Sequence, residues 1–171
     1  IKSELLNAEI KLLIVNKPNC KALEKANKYR IDSLVINHKD FDKREDFDYV
    51  ISKAFKELDV ELIVMAGWMR VITNTLIDSF PDRIINIHPS LLPCFKGTNA
   101  INQALEYGSH ITGCSTHYVN TEVDSGKIIM QAAIKIDPND NELSLSRKIH
   151  SYEHLILPMS IAIAGQKLRN K

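Results

Sequence analysis

Short apolar runs of strand length alternate with stretches of helical period along most of this chain, and few folds accommodate that alternation. The runs fall at residues 10–15, 34–36, 62–66, 84–87, 114–119 and 128–136, and are made of apolar and other strand-favouring residues. In "DFDYVISKAFKEL", Phe47, Val50, Ile51, Ala54, Phe55 and Leu58 recur on one helical face. Ala22, Leu23 and Ala26 suggest a helix after Pro18. In "NAINQALEYG", Asn99 is a cap, Ile101, Ala104 and Leu105 form the inner face, and Gly108 ends the helix. Near-continuous apolar strands separated by helices predict a doubly wound α/β fold, a mostly parallel, Rossmann-like sheet with helices on both faces. The last two runs, joined through "TEVDSG", predict an antiparallel addition. The closing segment "NELSLSRKIHSYEHLILPMSIAIAGQKL" predicts a helix broken or kinked at Pro158 and packed across the sheet. No repeat or linker interrupts the pattern, so residues 1–171 are expected to form a single domain.

Composition narrows the function. Lys plus Arg number 22 and Asp plus Glu 21, so no broad charge footprint favours nucleic acid or an anionic membrane, and small-molecule ligands are expected. Cys20, Cys94 and Cys114 have no paired C-x-x-C spacing, which argues against a disulfide framework or zinc and for a reducing, cytoplasmic setting. No apolar run reaches the length of a membrane span. The absence of G-x-G-x-x-G disfavours a nicotinamide dehydrogenase despite the α/β pattern.

In such folds ligands bind beyond the carboxyl ends of the strands, which directs attention to "GWMR", "NIHPSLLP" and "NTEVDSG". Asn86 and His88 stand two apart on an extended segment, so their side chains share a face while Ile85 and Ile87 take the other. Pro89 keeps the segment extended. A neutral amide donor beside an imidazole can stabilise and protonate an oxygen that gains charge during acyl chemistry. Asp124, in the "VDSG" turn, could come alongside His88 and favour its charged form. On spacing alone a structural histidine and a turn-forming aspartate explain the same residues. Ser90 lacks a nucleophile elbow and Cys94 an adjacent base, so the attacking group is expected to belong to a substrate. His150 and His154 lie one helical turn apart without an evident acidic third ligand, and no metal is expected.

Together "INIHPSLLPCFKG", "QALEYGSHITGCSTHYVNTEVDSGKIIMQ", "LIVNKP", "FDKREDFD", "VMAGWMR" and "YEHLILP" resemble the phosphoribosylglycinamide formyltransferases, folate-dependent enzymes of purine synthesis. The resemblance implies that 10-formyltetrahydrofolate is the co-substrate, that its formyl group passes to the amine of glycinamide ribonucleotide through a tetrahedral intermediate, and that the enzyme is a monomer or homodimer. It implies Asn86, His88 and Asp124 as catalytic residues. Its folate site maps onto Arg44, Met69, Arg70, Val71 and Ile72, with Asn86 and the loop Asn120, Thr121, Glu122, Val123 and Asp124. Its nucleotide site maps onto His150, Ser151, Tyr152 and Glu153. The resemblance also implies a first strand and a Gly-rich phosphate loop that this sequence does not contain, so a gap is expected beside residues 10–15. Two alternatives remain: a formyltetrahydrofolate deformylase, which the spelling His88-Pro89-Ser90-Leu91-Leu92-Pro93 disfavours, and a folate-binding remnant without turnover.

Overall fold

The computed structural model describes residues 6–170. Two sheets form the framework. In the first, β1 (Leu13–Val15) pairs in parallel with β2 (Ser33–Val35), Leu13 opposite Ser33 and Val15 opposite Val35. Between them runs α1 (Lys21–Tyr29), closed by Arg30 in the left-handed region at φ 56°, whose amide reaches the Ala26 and Asn27 carbonyls.

The second sheet has the order β3 (Ile63–Met65), β4 (Ile84–His88), β5 (Ile111–Tyr118), β6 (Ile128–Lys135). β3 and β4 are parallel, while β4 with β5 and β5 with β6 are antiparallel. Parallel pairing early and antiparallel pairing late match the fold expected from the alternation. α2 (Arg44–Glu57) presents Phe47, Ile51 and Phe55 to a core that also contains Ile36, Ile63, Leu76 and Ile84. A second core gathers Ala104, Cys114 and Ile134 against Leu145, Ile149 and Ile156. Those last three lie on α5 (Glu142–Arg169), which Asn141 and Ser144 start with reciprocal side-chain to backbone caps.

Several local expectations need correction. α5 is continuous through Pro158, so the expected break is absent. Buried Leu145 and Ile149 before the proline, and Ser160 and Ala164 after it, pin the helix on both sides, so tertiary packing outweighs the lost N–H. The run at 10–15 yields a strand only over Leu13–Val15. β5 begins three residues earlier than its apolar run because Ile111, Thr112 and Gly113 pair with Lys135, Ile134 and Ala133. Two short elements had no sequence signal: a 3-10 turn at His38–Asp40 and α3 (Asn74–Ser79). The helix at "NAINQALEYG" is present as α4 (Ala100–Glu106).

β1 and β3 do not pair, and a cavity of about 600 Å³ lies between them, lined by Ile10, Leu12, Leu62, Val64, Ile161 and Leu168 among others. This is the gap expected beside residues 10–15. No helix of the described residues is long and apolar enough to cross a membrane.

Candidate active site

β4 ends in the polar residues that the alternation placed on one face. Asn86 sits directly opposite His117 of β5, and His88 opposite Ser115. The loop after β5 then returns over these strand ends and brings Asp124 to both side chains. Asp124 Oδ2 lies 3.3 Å from His88 Nδ1 and accepts the Gly97 N–H at 2.9 Å. Its Oδ1 lies 3.4 Å from Asn86 Nδ2 and 3.5 Å from His117 Nε2. His88 Nε2 meets the Phe95 carbonyl at 2.8 Å. A carboxylate and a carbonyl only accept, so His88 satisfies both neighbours when each ring nitrogen carries a hydrogen. The ring is 5% exposed and held from both ends.

The approach of the Asp124 loop depends on its local chemistry. Asn120 Oδ1 accepts from the Glu122 N–H at 3.1 Å and the Ser125 hydroxyl at 3.2 Å, and Asp124 takes a left-handed φ of 49°. At Gly126 a Cβ would lie 1.7 Å from the Tyr118 carbonyl oxygen, so only glycine lets the loop descend onto β5. Burial, the largest influence on Asp124, pushes its carboxyl pKa up. Contact with the His117 ring, the Gly97 N–H and the charge of His88 outweigh that and hold it below the ordinary carboxylate value.

The segment after β3 presents its side chains unevenly. Met69 is 77% exposed and Val71 is also open to solvent. Ile72 instead is buried in the core cluster that includes Leu76 and Phe80. Arg70 lies over the Phe47 ring at 5.9 Å, and Phe47 stacks on Trp68 at 6.0 Å. Buried Asp48 accepts the Thr73 N–H at 2.5 Å, tying α2 to this segment, and burial pushes its carboxyl pKa up. Arg44 stands on the exposed first turn of α2. In the Asp124 loop, Thr121 and Val123 are exposed, and Glu122 pairs with Lys96 at 3.5 Å.

On α5 the four nucleotide-site candidates diverge. Glu153 turns inward, its side chain 17% exposed and 3.8 Å from His150 Nε2. Burial raises its carboxyl pKa against the opposing charges of His150, His154 and His88, and its own charge adds to the rise at Cys114. Tyr152 and His150 face solvent, while the Ser151 hydroxyl is spent on the Lys148 carbonyl. Cys114 is fully buried, its thiol pKa pushed up to about 12 chiefly by burial, which leaves it inert. Ser90 is likewise buried and donates to the Cys94 carbonyl, a structural bond.

Sequence reading missed His117 and the backbone of Phe95 and Gly97. The signal for His117 existed: Ser115 and His117 share a strand face under period-two alternation, and that face meets Asn86 and His88 once β4 and β5 pair.

The residue-level geometry now has a family context. A family model described as formyl transferase matches residues 1–161, and the chain belongs to that family. Within it, phosphoribosylglycinamide formyltransferase of Bacillus subtilis is 38% identical over 161 residues, 94% of this chain and 83% of that protein. Trifunctional purine biosynthetic protein adenosine-3 of Drosophila melanogaster is 43% identical over 158 residues, 92% of this chain. The chain spans 12% of that trifunctional relative's length. Among solved structures, phosphoribosylglycinamide formyltransferase from Bacillus halodurans superposes with a TM-score of 0.92 at 35% identity, covering 94% of this chain and 83% of the other. Glycinamide ribonucleotide transformylase 1 from Symbiobacterium toebii gives 0.94 at 34% identity, covering 96% and 78%.

Proposed function

We propose that this chain transfers a formyl group from 10-formyltetrahydrofolate to the amine of glycinamide ribonucleotide in purine biosynthesis. The observation that carries the reading is the meeting of Asn86, His88 and Asp124 at the end of β4, in a chain 38% identical to a phosphoribosylglycinamide formyltransferase.

The amine nitrogen attacks the formyl carbon, a C–N bond forms, and the carbonyl π pair moves to oxygen. Asn86 donates to that oxygen. His88 supplies a proton to the oxyanion or to the departing folate nitrogen, using the N–H that the Phe95 carbonyl otherwise accepts. Asp124 holds the imidazole in place at Nδ1 and helps return the proton that the amine gives up. Collapse of the tetrahedral intermediate breaks the bond to the folate nitrogen.

For the folate, exposed Met69 and Val71 offer apolar cover, and the backbone from Asn120 to Asp124 offers donors and acceptors to a flat heterocycle. Arg70 and Arg44 are the cations assigned to the anionic tail. Glu153, inward-facing and near His88, is assigned to the substrate amine, with His150, Ser151 and Tyr152 beside it on α5.

Formyl transfer assayed with and without glycinamide ribonucleotide tests this. Consumption of formyl folate that requires the nucleotide supports the proposal. Consumption without it indicates a hydrolase, and folate binding without consumption indicates a remnant; either result overturns the proposal.

A further inference from the structure

The geometry points to His117 as a positioning residue that fixes the amide of Asn86 in its donating orientation; this rests on the reading of Asn86 as the oxyanion donor. His117 is 2% exposed and lies directly across the β4–β5 ladder from Asn86, on the strand face it shares with Ser115.

Four groups determine one another's orientation. The Asp124 carboxylate only accepts, so the Asn86 group 3.4 Å from Oδ1 must be the NH₂ and not the carbonyl. The same nitrogen lies 3.3 Å from His117 Nε2 and donates to it when that ring nitrogen presents its lone pair. A bare Nε2 in a neutral ring requires hydrogen on Nδ1, and Nδ1 lies 2.8 Å from the Tyr118 carbonyl, an obligatory acceptor. The Tyr118 carbonyl thus favours hydrogen on Nδ1.

The distances also show what remains free. Nδ2 of Asn86, Nε2 of His117 and Oδ1 of Asp124 form a nearly equilateral triangle with sides of 3.3, 3.4 and 3.5 Å. The two acceptors therefore subtend about 60° at the amide nitrogen, half the roughly 120° between its N–H bonds, so a single N–H directed between them can serve both. In that arrangement the second N–H is free to donate to the oxygen of the reacting formyl group. Without Nε2 the amide would be oriented by a single long contact to Asp124.

The test is a double-substitution cycle on the intact chain. His117→Leu should lower kcat about tenfold or more with KM within about twofold, because a misaimed donor weakens the transition state more than binding. His117→Gln, which can return an acceptor oxygen near the Nε2 position, should recover to within about threefold of the parent. In an Asn86→Ala background His117→Leu should cost less than about twofold, since there is no amide left to position. An equal loss in both backgrounds, or an unchanged kcat in His117→Leu, would overturn the inference while leaving the proposed function standing. Wild-type kcat in Asn86→Ala would instead overturn the oxyanion reading itself. If His117→Leu does not fold, nitrogen-15 spectra of the parent imidazoles decide: a bare Nε2 on His117 supports the inference, and hydrogen on Nε2 overturns it.

Discussion

The β1–β2 pair and the β4–β5–β6 ladder are both strand pairings, yet they have different environments. β2 is exposed along its whole length, each strand of the pair has three residues, and one side of β1 borders the cavity. β5 has eight residues, with six in succession from Thr112 to His117 buried, and it is paired on both edges. α5 packs against its far end of the core through Leu145 and Ile149. The site residues Asn86, His88 and His117 all stand on the doubly paired part, and Asp124 is held above it. A reacting constellation needs sub-ångström constancy, which continuous pairing supplies and a short half-exposed pair does not.

Breaking the ladder's chemistry should have the largest effect. Asn86→Ala and His88→Ala are each expected to lower kcat about 10²- to 10³-fold while thermal unfolding stays within a few degrees of the parent, measured by steady-state transfer assays and calorimetry. A loss of activity that simply follows a loss of folding would erase the distinction between a site and its scaffold.

Packing should separate the two regions next. Leu145→Ala or Ile149→Ala removes a fully buried side chain from the core beneath β5 and should cost about 2–5 kcal/mol in urea unfolding. Leu34→Ala in β2, where the side chain is 40% exposed, should cost less than about 1 kcal/mol. Equal costs would mean that the β1–β2 pair is integrated into the core to a degree its burial does not show.

The smallest expected effect concerns the start of α5. Lys148 bonds Asp140 at 2.5 Å, and together with the Asp137 region and the Ser144 hydroxyl it holds the Asp140 carboxyl at a pKa of about 2. An unfolded aspartate titrates near 3.9, so the folded value is the lower one. The stabilisation is then fully present above about pH 4 and is lost as pH falls toward 2. Lys148→Met should flatten that part of the acid limb of a stability curve, and an unchanged limb would place the acid sensitivity elsewhere, in Asp124 first.

How much of this the sequence could disclose differs by kind of signal. Local periodicity revealed α2, the strands and the common face of Asn86 and His88, because each depends on residues a few positions apart. The split between β1 and β3 was expected only from family resemblance, since pairing partners leave no mark within either strand. His117 was missed for the same reason: its partner Asn86 is 31 positions away and joined to it only by register. The helix does not break at Pro158 because intrinsic propensity is weaker than the burial of residues such as Ile156 and Ala164 that flank it. Ile72 stands beside Met69 and Val71 in the sequence, but a single step along the chain turns it into the core.

The central claim is that one carboxylate organises the donors at the end of β4 for formyl transfer. Asp124→Asn tests it most directly, because the amide keeps the shape but replaces an acceptor oxygen with an NH₂ group facing His88 or Asn86. With nucleotide-dependent formyl transfer as the readout, the account predicts a fall in kcat of about 10²-fold or more with folate binding retained. A variant that turns over at the parent rate would contradict it.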